Sequence, residues 1–128
     1  MTLSYVILYV PDVAATVAHY ERAYGLSRRM MHDSGQYAEM ETGATALAFA
    51  GEEFVSTQGT FEPSRPHAKA AAAEVAFVAE DVEAAYARAV DAGATAEAAP
   101  ETKPWGQTVS YVRDINGFLV EICSKIGG

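Results

Sequence analysis

A ten-residue pattern recurs in this chain at an offset of 69 residues, so the chain is constrained to fold as two copies of one unit. Ser4-Tyr5-Val6-Ile7-Leu8-Tyr9-Val10-Pro11-Asp12-Val13 aligns with Ala73-Glu74-Val75-Ala76-Phe77-Val78-Ala79-Glu80-Asp81-Val82. Val6 meets Val75, Asp12 meets Asp81 and Val13 meets Val82. In each copy an alternating apolar run predicts a strand that ends on an aspartate. That carboxylate suits a helix N-cap, because it can accept from amides that lack partners in the first turn.

After Asp12, Val13, Val17, Tyr20 and Tyr24 recur at helical spacing, and Gly25 offers the positive φ that ends a helix. Val82, Ala85, Tyr86, Ala89 and Val90 form the matching stripe in the second copy, closed by Gly93. Three strands are expected behind each helix, because the remaining segments are short, patterned and separated by turn chemistry. They fall near 27–33, 36–41 and 44–50 in the first copy, and near 95–98, 107–113 and 118–124 in the second. Asn116-Gly117 predicts a hairpin with a primed turn between the last two strands. The expected boundaries are a first module over about 1–51, a linker over about 52–69 and a second module over about 70–128.

Composition narrows the function. Nine Lys and Arg against seventeen Asp and Glu give a formal charge of −8, unlike a protein that grips phosphate backbones with clustered cations. No apolar run approaches the roughly 20 residues that span a bilayer. The one cysteine, Cys123, cannot form an intramolecular disulfide, and no leader-like segment opens the chain, so a cytoplasmic protein is expected.

The repeat, together with Lys103-Pro104-Trp105-Gly106-Gln107 and the run from Tyr111 through Asp114-Ile115-Asn116-Gly117 to Glu121, resembles the vicinal oxygen chelate superfamily. That group includes glyoxalase I, bleomycin-resistance proteins and extradiol dioxygenases. The resemblance covers nearly the whole chain and implies one α+β domain, with two βαβββ modules forming a curved mixed-sheet cup. It also implies a homodimer. In metal-dependent members four side chains on the concave face hold a divalent ion, and the corresponding residues here are Tyr5, Leu47, Glu74 and Glu121. A phenol and an aliphatic chain are poor ligands, so no metal and no other cofactor are expected. His19 falls on the first helix, His32 near the end of the second strand and His67 in the linker. His67 swinging in beside Glu74 and Glu121 is the one route left to an ion.

Strand parity supplies the remaining candidates. Tyr5, Ile7 and Tyr9 share a face, as do Glu74, Ala76 and Val78, and Leu119, Glu121 and Cys123. If the helices cover the alternate residues, Glu74 and Glu121 point into the cup, where each must be paired, hydrogen-bonded or protonated. Tyr5, Tyr9, Leu47 and Phe49 are expected inward beside them, and Trp105 offers a ring for stacking. For a single aromatic residue the plainer role is core packing; for each glutamate it is a hydrogen-bonded or half-exposed strand residue. No histidine has the placement to activate Cys123.

The leading expectation is a metal-independent binder of a small organic ligand, planar or cationic, that protects by sequestration. The alternative is an enzyme, either a metal-dependent lyase, isomerase or dioxygenase, or a metal-free catalyst with Glu74 and Glu121 as acid and base. A third reading is an interaction module whose cup is filled by its own side chains.

Overall fold

The computed structural model describes residues 1–56 and 59–127, and its chain divides into two compact units, Met1–Pro63 and Ser64–Gly128. Each contains a four-stranded mixed sheet and a main helix, giving the α+β class and the βαβββ order that the repeat predicts. No helix among the described residues is long and apolar enough to cross a membrane.

The first unit comprises β1 (Tyr5–Val10), α1 (Val13–Tyr24), β2 (Ser27–Met31), β3 (Tyr37–Glu41), β4 (Ala46–Gly51) and a short α2 (Glu52–Val55). The strand order is β1-β4-β3-β2, with β1 and β4 parallel and the other pairs antiparallel. The second unit repeats the scheme with β5 (Glu74–Val78), α3 (Val82–Asp91), β6 (Thr95–Thr102), β7 (Thr108–Arg113) and β8 (Leu119–Cys123). Its order is β5-β8-β7-β6, with β5 and β8 parallel.

Both helices begin where the sequence places them. Asp12 Oδ1 accepts from the Ala15 amide at 2.9 Å, and Asp81 Oδ1 accepts from the Ala84 amide at 3.0 Å. Gly25 ends α1 in the left-handed region at φ 69°. The apolar stripe of α1 is buried: Val13, Val17 and Tyr20 pack against the sheet, with the Tyr20 ring 4.8 Å from that of Phe49. The helix therefore lies on the face that carries Phe49 and Leu47. In the second unit Val112, Val120 and Ile122 make the corresponding buried layer.

Three details depart from the expectation. The segment read as linker contains α2, one turn too short to show a helical period. Strand β6 runs on through Pro100 to Thr102; it is an edge strand with register shifts, where a proline need not donate to a ladder. The β7–β8 turn is not of the primed type, because among its residues only Gly117 has positive φ, at 94°. Instead the Gly117 amide donates to the Asp114 carbonyl at 3.0 Å. The buried Asp114 side chain accepts from the Asn116 and Phe118 amides at 2.8 and 3.0 Å. This is a three-residue loop closed by a left-handed glycine, and the aspartate three residues before that glycine decides it.

Candidate functional site

Each sheet has one face under its helix and one turned away from it, here called the open face. Cross-strand register assigns the open-face residues. In the second unit Glu74 lies opposite Leu119, Ala76 opposite Glu121 and Val78 opposite Cys123, while Tyr111 stands opposite Glu121 on the other side. The expected sharing of a face by Glu74, Glu121 and Cys123 therefore holds, and Tyr111 joins them.

The two glutamates are diagonal neighbours on adjacent strands, near enough for the Glu121 carboxyl to act on that of Glu74. The Tyr111 hydroxyl donates to Glu121 Oε1 at 3.2 Å. Partial burial, the hydrogen bond to Glu121 and the Glu121 charge push the Glu74 carboxyl above the ordinary value, since two adjoining carboxylates cannot both ionise freely. Glu74 as a residue remains exposed, so solvent screens part of this effect. Burial and the charges of Glu121 and Glu74 raise the Tyr111 phenol. Burial first and Glu121 second push the Cys123 thiol up to about 11, so it is a neutral thiol and not a nucleophile at neutral pH. Among the described residues no cation lies within ion-pairing distance of Glu74 or Glu121.

Trp105 sits beyond this cluster, in the turn between β6 and β7. The Gly106 amide donates to the Lys103 carbonyl at 2.9 Å, and the Lys103 amide to the Gln107 carbonyl at 2.8 Å. The indole N–H donates to Gln107 Oε1 at 2.9 Å, and Gln107 Nε2 donates to the Ser124 carbonyl at 2.9 Å. Gln107 is buried, whereas Trp105 is 60% exposed. The ring is thus anchored through its polar edge with its faces left to solvent.

The first unit's open face carries Tyr5, Ile7 and Tyr9 on β1, Ala46, Ala48 and Ala50 on β4, and Tyr37, Glu39 and Glu41 on β3. Tyr9 meets Phe61 edge to face at 4.9 Å. Leu47 and Phe49 are not on this face, a correction to the expectation above. Both are buried on the helix side, Leu47 opposite Val6 and Phe49 against Tyr20, because the larger side chains of β4 fill the space under α1. By register the counterpart of Glu121 in the first unit is Ala48, one residue from Leu47.

The sequence did not single out a polar network on this face. The Tyr37 hydroxyl donates to Glu39 Oε2 at 2.8 Å, and Arg29 pairs with Glu41 at 2.6 Å and with Glu39 at 3.8 Å. A β-bulge between Arg28 and Met30 aims Arg29 at these acids. Burial, followed by the hydrogen bond to Glu39, pushes the Tyr37 phenol up to about 12. The alternation of Tyr37, Glu39 and Glu41 with buried Ala38 and Met40 was the available signal. By register Glu39 is the counterpart of Tyr111. A hollow of about 310 Å³ lined by Gln36, Glu53 and Phe54 contains none of the residues singled out from the sequence.

These positions do not suit a divalent ion. The four places where the resemblance implies ligands hold the Tyr5 phenol, the Leu47 aliphatic chain, or by register the Ala48 methyl, and the carboxyls of Glu74 and Glu121. Among the described residues no group of three or more His, Cys, Asp or Glu is arranged to hold one. His19 is buried in α1 against Tyr20 and Tyr24, and His32 hydrogen-bonds Ser34 at 2.8 Å. His67 is exposed, and among the described residues it belongs to no such group.

Residues 2–122 match the model of the Glyoxalase/Bleomycin resistance protein/Dioxygenase superfamily. Several solved structures share the fold. A glyoxalase-related enzyme from Fulvimarina pelagi superposes with a TM-score of 0.82 at 18% identity, covering 98% of this chain and 88% of its own. A glyoxalase/bleomycin resistance protein/dioxygenase family enzyme from Burkholderia phytofirmans PsJN gives 0.75 at 20% identity, covering 97% of this chain and 98% of its own. TioX from Micromonospora sp. ML1 gives 0.73 at 22% identity, with the same 97% and 98% coverage. No curated protein matches the sequence.

Proposed function

This chain belongs to the glyoxalase/bleomycin resistance protein/dioxygenase superfamily, and we propose that within it the protein is a metal-independent binder of a small organic molecule, acting by sequestration. The observation that carries this reading is the Glu74–Glu121–Tyr111 cluster. It is an acid pair on an open face with no described cation in ion-pairing distance, and the exposed, anchored ring of Trp105 stands farther along the same unit. Neighbouring carboxyl groups favour a ligand that brings hydrogen-bond donors and positive charge, and a fixed indole favours a flat one. A planar aromatic cation meets both demands. Tyr5 and Tyr9 are proposed separately, as the aromatic contacts of the first unit's own open face. A superfamily fold hosts many chemistries, so the ligand class is argued from these side chains and not from the relatives.

We infer a homodimer as well. The edge strand β1 exposes Tyr5, Val6, Ile7 and Tyr9, and a second copy would cover them. Cys123 is buried and free, which suits the reducing cytoplasm. The raised Glu74 beside Glu121 also fits a second reading, a metal-free catalyst in which Glu74 donates a proton and Glu121 accepts one.

Trp105 is the only tryptophan, so tryptophan fluorescence reports on the β6–β7 turn of this unit. Titration with N-methylacridinium, a flat monocation, is expected to quench it saturably, whereas 2-naphthalenesulfonate, a flat anion, leaves it unchanged. Equal quenching by both, or by neither, contradicts the reading.

A further inference from the structure

The chain reaches β5 under restraint. Arg113, the last residue of β7, is only 9% exposed and spends its guanidinium on backbone carbonyls. Nε donates to Gly117 at 2.9 Å, one terminal nitrogen to Pro66 at 3.0 Å and the other to Arg65 at 3.1 Å. The Ser64 hydroxyl donates to the Asn116 carbonyl at 2.9 Å, and the Ala68 amide closes a turn on the Arg65 carbonyl at 3.1 Å. Any side chain at Gly117 would collide with the Arg65 carbonyl, so the strap formed by Ser64–Ala68 lies directly on the hairpin tip.

Two features make this more than a loop contact. Among the described residues Arg113 takes part in none of the ion pairs, and this buried cation donates to three backbone carbonyls. In addition, Arg113, Leu119 and Glu74 stand opposite one another on three adjacent strands, which puts the clamp and the first acid of the candidate site in one row.

We propose that Arg113 is the positioning residue of the second unit's open face: by fixing Arg65 and Pro66 to the β7–β8 tip, it holds the strap as a rigid wall at the end of the row and sets the path into β5, where Glu74 meets Glu121. The proposal rests on the reading of that face as a ligand site. The planar fork is required, because a lysine ammonium is a single point and cannot reach three carbonyls that diverge around the guanidinium.

The test needs no ligand. Arg113→Lys keeps the charge, Arg113→Met keeps the stem, and Val112→Ala removes buried volume from the opposite face of the same strand. Amide hydrogen exchange at residues 65–69 and carboxyl carbon NMR titration of Glu74 are the readouts. Both Arg113 variants are expected to speed exchange in the strap at least tenfold and to move the Glu74 midpoint down toward its ordinary value. Val112→Ala is expected to lower the melting temperature and leave the Glu74 midpoint in place. The sign is diagnostic, because loss of a positive charge by itself would move Glu74 up. An unchanged strap in Arg113→Lys, or a freed strap with an unmoved Glu74 midpoint, overturns the proposal. Should Arg113→Met fail to fold, Arg113→Lys and Ser64→Ala carry the same test. A normal result here with no quenching of Trp105 overturns the ligand reading and leaves the positioning role standing.

Discussion

Phe49→Ala is expected to cost about 3–5 kcal/mol of stability and to leave the response of Trp105 to N-methylacridinium unchanged at temperatures where the variant is folded. Phe49 is fully buried, and its ring packs 4.8 Å from Tyr20, which itself lies 4.7 Å from Tyr24. Its neighbours across the sheet are Leu8 and Ala38, and on the Ala38 side the side chain is too small to fill the space that the ring would leave. The loss is therefore transfer free energy plus a cavity, taken from a fold whose total stability is about 5–15 kcal/mol. Urea denaturation followed by circular dichroism measures it. A loss below about 1 kcal/mol together with weakened binding would return Phe49 to the ligand face.

Glu121→Gln is expected to weaken N-methylacridinium binding about tenfold to a hundredfold, the range set by about 1.5–3 kcal/mol for a hydrogen bond or contact to a charged group. It also changes how stability depends on pH. In the folded protein Glu74 holds its proton above the ordinary carboxylate value, so between that value and the raised one the native state binds more protons than the unfolded chain. The associated stability is present in full below the ordinary value and is lost as pH rises through the raised one. Glutamine at position 121 removes the Glu121 charge, leaving burial of Glu74 as the main remaining cause, so the fall becomes shallower. The Cys123 thiol and Tyr111 phenol, both raised in part by Glu121, move down with it. Thermal melts between pH 4 and 8, compared with the parent protein, measure this. An unchanged affinity and an unchanged pH slope would show that Glu121 takes no part in the face.

Much of this arrangement was legible in the sequence because it depends on local chemistry. Asp12 and Asp81 could be read as caps from their place before an apolar stripe, and the parity of each strand, with the helices taken to cover the alternate residues, put Glu74 and Glu121 on one face. Strand β4 resisted the same reasoning. Ala46-Leu47-Ala48-Phe49-Ala50 is apolar at every position and buried on both faces, so hydropathy cannot say which parity is the open one. Size decides it, since the large residues go under the helix and the alanines turn away. Tyr111 and Glu39 became visible as partners only through cross-strand register, which a single strand's pattern does not contain. The Arg113 clamp joins residues 47 and 48 positions apart and has no sequence signature at all.

The proposal that the second unit's open face takes an organic guest without a coordinated ion rests on side-chain chemistry, since two of the four positions where the resemblance implies ligands, Tyr5 and Leu47, carry a phenol and an aliphatic chain. Native mass spectrometry of protein purified without chelator reads this most directly. The expected species is a dimer at twice the 13.6 kDa chain mass with no bound metal. One equivalent of zinc, nickel, manganese or iron per chain would contradict it.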